Sequence, residues 1–400
     1  MSQASSLERP GRVSRWLYGL HLWTLFGLAL SNILLGLAIL AAPAGVRWRR
    51  VDWRRLAPVL WPLGLYVLFF LTSVGASYEP AVSAGQVGRL FSLATLPLGL
   101  LLVRGERGAR RVVDGVLVVA GLMAVYGLGQ FLLGYGGLDQ RIRGPFSHYM
   151  TFAGVLVLAD FLLLPQFVEG KGRKDVWRWV AFAAVNLALL GSLTRSAWVA
   201  VALTVTVYLA LRAPRLLLGY APLFLVFVLL APIPMLQRLF SIGDLQDVSN
   251  YDRLCMAEAG LEMISERPLF GLGPGLVEER YPLYRHPTAP RVTVPHLHNS
   301  FLQIAAEQGL LSLAAFLTLL GGSLAQAHRS YRREGRSAGP RADLWMGAVL
   351  GLLAFGLVAL FEDSWGDTEV QRLTLFLVAL PWCVGAGGPE RDGRSPADAG

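Results

Sequence analysis

Apolar residues in this chain run in long unbroken blocks, divided by short polar and basic stretches. Blocks fall near residues 56–74, 87–103, 112–133, 149–167, 178–194, 196–212, 215–234, 300–324, 344–361 and 370–388. Their lengths suit the ~20 residues that a helix needs to cross the hydrocarbon core. A barrel would instead show segments of about ten residues with apolar and polar positions alternating. In lipid only helices and closed barrels satisfy their own backbone groups, so the pattern predicts an all-α, polytopic helical membrane protein. Residues 16–42 form one more block, too long for a single straight crossing. Arg9, Arg12 and Arg15 precede it, and Arg47, Arg49, Arg50, Arg54 and Arg55 follow it. Both flanks carry the charge expected of a cytoplasmic loop. Two short half-helices breaking near Ser31-Asn32 would keep both flanks inside. The count is then about 12 transmembrane helices, with a large loop between the ninth and tenth. The chain divides into an N-terminal bundle (1–234), a loop domain (235–298), and C-terminal helices with a tail (299–400).

With that start the basic loops 104–111, 168–178 and 325–343 all fall inside, as do both termini. The loops 75–86, 134–148, 194–196, 235–298 and 362–369 fall outside. Within the long loop, residues 250–266 predict an amphipathic helix with Leu254, Ala257, Leu261 and Ile264 on one stripe and Arg253 on its first turn. Pro268 ends it, and Gly271-Leu272-Gly273-Pro274-Gly275 follows as a turn. That turn is not a phosphate loop: no strand precedes it, Pro274 lacks an N–H, and no Gly-Lys-Ser/Thr follows.

Composition agrees: 54% of the 400 residues are hydrophobic, and the mean hydropathy is +0.49. The net charge of +9 sits in short loops, where it sets topology, and does not form a nucleic-acid surface. Cys255 and Cys383 lie far apart in this topology and are expected to be free. No small-residue cleavage pattern follows the first apolar block, so that block is expected to stay in the mature protein.

Charge also marks the outer face. Arg141, Arg143, Arg195, Arg238, Arg253, Arg267, Arg280, Arg285 and Arg291 all project there, against the usual bias. Arg195 lies in a turn so short that its charge sits at or near the bilayer surface, where it is costly unless used or paired. An acid such as Asp363 or Asp367 could pair with it. Cytoplasmic loops this short hold no nucleotide-sugar domain, so group transfer would use a lipid-borne donor on the outer face. Guanidinium groups bind diphosphate through two parallel hydrogen bonds, and Arg195 and Arg253 are the candidates. Pro295-His296-Leu297-His298-Asn299-Ser300 closes the loop at the lip of a helix. A neutral histidine there could take the proton of an attacking hydroxyl. Capping the helix, or sharing a metal in an extended His-x-His segment, are the other readings of the pair. Asp160, inside a span, reads as a satisfied interior acid.

Four stretches resemble the O-antigen ligase and polymerase superfamily of bacterial inner-membrane glycosyltransferases. They are Arg143-Gly144-Pro145-Phe146-Ser147-His148, then Leu193-Thr194-Arg195-Ser196, then Arg253 leading to Arg267-Pro268-Leu269-Phe270-Gly271-Leu272-Gly273. Last comes His298-Asn299, followed after nine residues by Gly309 and two residues later by Ser312. The ligases carry Gly, Thr or Tyr at that final position, so Ser312 departs from their pattern. The resemblance implies a metal-independent, cofactor-free, inverting transfer of a glycan from undecaprenyl diphosphate to lipid A–core oligosaccharide at the periplasmic face of the inner membrane. His298 would be the base and Arg195 and Arg253 the diphosphate ligands, with Arg143, His148, His296 and Asn299 in support. Expected partners are the lipid-linked glycan, the lipid A–core acceptor and membrane lipids, with no nucleic acid. An O-antigen polymerase or a protein O-glycosyltransferase would use the same donor. A solute transporter is the alternative from another class, but a carrier would place its charged site near the midplane.

Overall fold

The structure, a computed structural model, describes residues 9–134, 141–169, 174–334 and 341–385. Among these the regular elements are all helical. They are α1 (Arg9–Trp23), α2 (Leu28–Gly45), α3 (Trp53–Ala76), α4 (Pro80–Leu102), α5 (Gly105–Leu132), α6 (Tyr149–Val168), α7 (Val176–Gly191) and α8 (Arg195–Arg212). After them come α9 (Tyr220–Leu230), α10 (Ile233–Phe240), α11 (Val248–Glu266), α12 (Val277–Tyr284), α13 (Ser300–Glu334), α14 (Ala342–Ala359) and α15 (Thr368–Val384). The expected tail and the basic positions Lys171, Arg173 and Arg336 lie outside the described residues.

Eight of these helices, α2 to α6, α8, α13 and α14, are long and apolar enough to cross a membrane. The other expected crossings are shorter: α1 has 15 residues, α7 16, α9 11 and α15 17. The first apolar block does fold as two packed helices, but they break at Thr24–Gly27, not at Ser31-Asn32. The polar pair has another use. Ser31 Oγ accepts from Arg372 Nη1 at 2.9 Å, and Asn32 Oδ1 accepts from Arg372 Nη2. Both residues are therefore part of α2, docking a guanidinium that is 1% exposed.

Helix α6 is apolar on every side and buried along nearly its whole length, as such a helix must be. It packs against α14 and α7, while α15 lies against α4 and α14, and α13 against α3. Asp160 of α6 accepts from Asn186 Nδ2 of α7 at 2.8 Å. It is not the main charge inside the spans, because Arg372 of α15 and Glu307 of α13 are also buried.

The long loop is folded. Met256, Ala259 and Met263 of α11 form a small core with Leu272, Val277, Tyr281, Val294, Leu297 and Ala306. The face of α11 that packs is therefore Cys255-Met256-Ala259-Gly260-Met263. Of the expected stripe, Ile264 packs against this core, while Leu254 and Leu261 are 43% and 58% exposed. Small and flexible side chains allow closer approach than branched ones: a Cβ on Gly260 would crowd Leu297 Cδ1. Because α11 starts at Val248, behind an Asp247 cap, Arg253 lies in its second turn and not its first.

Helix α13 breaks at Gly309, where φ is 82° and ψ is 169°, a conformation that essentially only glycine adopts. The break frees two carbonyls. Leu272 N–H donates to Ala306 O and Gly273 N–H to Glu307 O, both at 2.9 Å, while Leu310 N–H donates to Pro268 O at 2.7 Å. A Cβ on Gly309 would strike the Leu269 carbonyl, and one on Gly271 would strike the Glu307 backbone. Gly271 thus serves backbone-to-backbone docking on the kink, whereas a Cβ on Gly273 or Gly275 would meet the Ser77 or Gln86 side chain.

Candidate active site

The helix starts of α6, α8 and α13, the 141–148 and 360–367 segments, and α10 and α11 converge on a cavity of about 170 Å³. Arg195, Arg253 and His298 all line it. So do Arg141, Arg238 and Arg291, against two carboxylates, Asp252 and Glu362, so the lining is strongly positive.

His298 reaches the cavity from the turn before α13. Asn299 makes that turn possible: its Oδ1 accepts the N–H groups of Phe301 and Leu302 at 3.0 Å, capping the helix, and its Nδ2 donates to Leu360 O. The backbone of His298 is left-handed, with φ 48°, uncommon for a residue with a side chain and a cost of roughly 1–3 kcal/mol. His296 supports it by accepting the His298 N–H on Nδ1 at 3.3 Å, and the two rings meet edge-on at 4.4 Å. Burial pushes the His296 imidazole below its ordinary pKa, which suits an acceptor nitrogen.

Glu362 ties the parts together. It accepts from Arg253 Nη2 at 2.7 Å on one oxygen, and its other oxygen lies 3.0 Å from His298 Nδ1. Ser196 Oγ of α8 also donates to it, at 3.4 Å. With the Nδ1 proton directed at Glu362, the lone pair of His298 sits on Nε2.

Arg195 opens α8 after the turn Ser192–Thr194, in which Leu193 has φ 53°. Its partner is Asp247 at 3.1 Å, and neither Asp363 nor Asp367. The same guanidinium donates to Ser241 O at 3.1 Å, Ser241 Oγ at 2.6 Å, and Ser249 Oγ. All its terminal donors are thus engaged, and Asp247 is held below the usual carboxylate range chiefly by this bond, against the opposing effect of burial. Arg195 pins the start of the loop domain to the α7–α8 turn. By contrast, Arg253 Nε is buried without a partner, Arg238 has no ion-pair partner among the described residues, and Arg141 lies over the Tyr149 ring at 4.2 Å.

None of the four supporting candidates lines the cavity: His296 and Asn299 act on the His298 turn, and the other two stand further off. Arg143 is exposed, and His148 caps α6 by accepting Met150 N–H on Nδ1 at 3.3 Å. Sequence reasoning missed Glu362, one of several acids in a short loop 64 residues after His298. Its position just where an apolar block ends was the available signal. Among the described residues, no three His, Cys, Asp or Glu side chains are grouped to hold a metal ion.

Residues 179–317 match the family model described as O-antigen ligase. That match, over about a third of the chain, supports the likeness to the O-antigen ligase and polymerase superfamily. The matched span runs from α7 into α13, so it includes Arg195, Arg253 and His298 but ends before Glu362. None of the curated proteins matches the chain.

Proposed function

We propose that this cavity transfers a glycan from undecaprenyl diphosphate to lipid A–core oligosaccharide at the periplasmic face of the inner membrane. The observation that carries the reading is the His298–Glu362–Arg253 chain in the wall of an arginine-lined cavity. The acceptor hydroxyl gives its proton to His298 Nε2 as its oxygen forms the new bond to the anomeric carbon. The bond from that carbon to the diphosphate breaks, and the diphosphate leaves with the electron pair. Attack from the face opposite the leaving group inverts the anomeric centre. Arg253, Arg141 and Arg238 hold the charge that develops on the leaving oxygens. Arg195 contributes mainly by fixing Ser241, Asp247 and Ser249 at the rim. An O-antigen polymerase would use the same chemistry on a lipid-linked glycan acceptor.

The test is transfer in vitro with purified protein and a lipid-linked glycan donor. His298→Ala should lose ~10²–10⁴-fold in turnover while still binding donor. Arg195→Lys should also fall sharply, because an ammonium cannot span the partners that the planar fork joins. Near-normal turnover by His298→Ala would sink the assignment. Supplying the core oligosaccharide and the lipid-linked glycan as alternative acceptors separates ligase from polymerase.

A further inference from the structure

Behind the 360–367 segment lies a second, narrower cavity, of about 40 Å³, enclosed by α3, α4, α13 and α15. The segment divides the two: Glu362 lines the first cavity and the next residue, Asp363, lines the second. Trp365 is in the wall, its indole donating to Tyr66 OH at 2.9 Å. Its backbone N–H is held by Ser300 Oγ at 3.0 Å, at the very start of α13. Glu307, Gln308 and Gln371, all nearly buried, face the same space, and the half-exposed Arg89 stands at the mouth, 4.0 Å from Glu307.

Gln308 is the decisive group. It is 6% exposed, yet its Oε1 has no hydrogen-bond partner. Leaving a buried amide oxygen unpaired is costly, so it calls for a hydrogen-bond donor within the cavity, which a ligand hydroxyl can supply in place of water. The space holds about three waters, the size of the hydroxyl edge of one sugar ring. Three amides, Gln303, Gln308 and Gln371, and two carboxylates supply the mixed donors and acceptors that such an edge matches. The Trp365 and Tyr66 rings, which meet edge to face at 87°, add apolar surface. An anionic ligand fits poorly against two carboxylates and one arginine, and an acyl chain would leave the buried polar groups unpaired.

We propose that this second cavity seats a neutral sugar unit of the acceptor, which rests on the glycosyl-transfer reading of the first cavity. The loop between them then joins acceptor binding to the base, since Glu362 and Asp363 are consecutive residues.

The test uses the full-length protein in nanodiscs, with core oligosaccharide released from lipopolysaccharide by mild acid as the probe. Saturation-transfer NMR should show binding to the wild type, weakened about tenfold or more in Gln308→Leu and in Gln371→Leu. The acceptor KM should rise by a similar factor while donor KM and donor binding stay unchanged. Retained donor binding identifies a folded variant. If either glutamine variant fails that check, Asp363→Asn at the half-exposed mouth takes its place. Wild-type probe binding in the folded variants overturns the proposal, even if transfer still depends on His298. Transfer that survives His298→Ala while the glutamine variants lose probe binding would overturn the mechanism and leave this site standing.

Discussion

At the residue scale the site depends on one carboxylate that does two tasks. Glu362 directs the His298 Nδ1 proton and neutralises Arg253, and it does so at 5% exposure, where an unpaired charge would be costly. Replacing it with glutamine keeps the shape but lets the amide N–H₂ face either partner. His298 could then carry its proton on Nε2, the wrong nitrogen for a base. Turnover in Glu362→Gln should fall by ~10²–10⁴-fold with the acceptor KM little changed, as for a base held in the wrong tautomer. A merely structural role for Glu362 would lower the amount of folded protein and spare the turnover of what remains. Stopped-turnover assays on purified, donor-binding protein distinguish the two. The candidate base and its arginines were legible in the sequence because an outer-face arginine and a loop-closing histidine are anomalies of type and place. Glu362 was not, since an acid in a loop is ordinary until folding brings it beside the histidine.

At the element scale, the kink of α13 decides where the loop domain sits. Gly309 holds a backbone conformation closed to other residues, and its missing Cβ leaves room for the Leu269 carbonyl. Gly309→Ala should therefore destabilise the protein by about 1–3 kcal/mol from strain alone, and by more from the collision. Gly321, in the same helix, has nothing near its absent Cβ. Gly321→Ala should be neutral or stabilising, by up to about 1 kcal/mol. Thermal unfolding of the two variants, followed by size-exclusion fluorescence, compares them in one experiment, and equal melting temperatures would show that the kink is not a fixed joint. The sequence announced that Gly271–Gly275 was a turn and that it was no phosphate loop, because chain-local chemistry settles both points. What the turn docks against depends on contacts between distant segments. The same limit explains the misjudged face of α11: apolar periodicity selected Leu254 and Leu261, but close packing selected Met256, Ala259 and Gly260.

At the scale of the whole molecule, polar clusters mark the two ends of the bundle. Helix α6, 20 residues and so about 30 Å long, has His148 and the cavity at one end. At its other end Glu169 pairs with Arg212 at 2.7 Å and accepts from Tyr331 at 3.2 Å. That separation matches the thickness of a hydrocarbon core. The basic loop 46–52 and the basic first turns of α5 (Arg107, Arg110, Arg111) should share the Glu169 side. The positive-inside bias favours the cytoplasm for both, and an α1–α2 pair that crosses twice would return the chain to its starting face. Cysteine labelling tests this directly, since Cys255 and Cys383 are each 1% exposed and should not react. Arg50 lies in the loop after α2, and Leu245, 65% exposed, lies beside the cavity rim between α10 and α11. In right-side-out vesicles a membrane-impermeant maleimide should label Leu245→Cys and leave Arg50→Cys unlabelled until the membrane is opened. Inverted vesicles should give the reverse. The opposite pattern, Arg50→Cys labelled in right-side-out vesicles and Leu245→Cys protected, would mean that residues 9–45 make an odd number of crossings, and the faces assigned to every later loop would exchange. Labelling of both positions from one side would mean an even number of crossings between residues 50 and 245 and would overturn the map of α3 to α9.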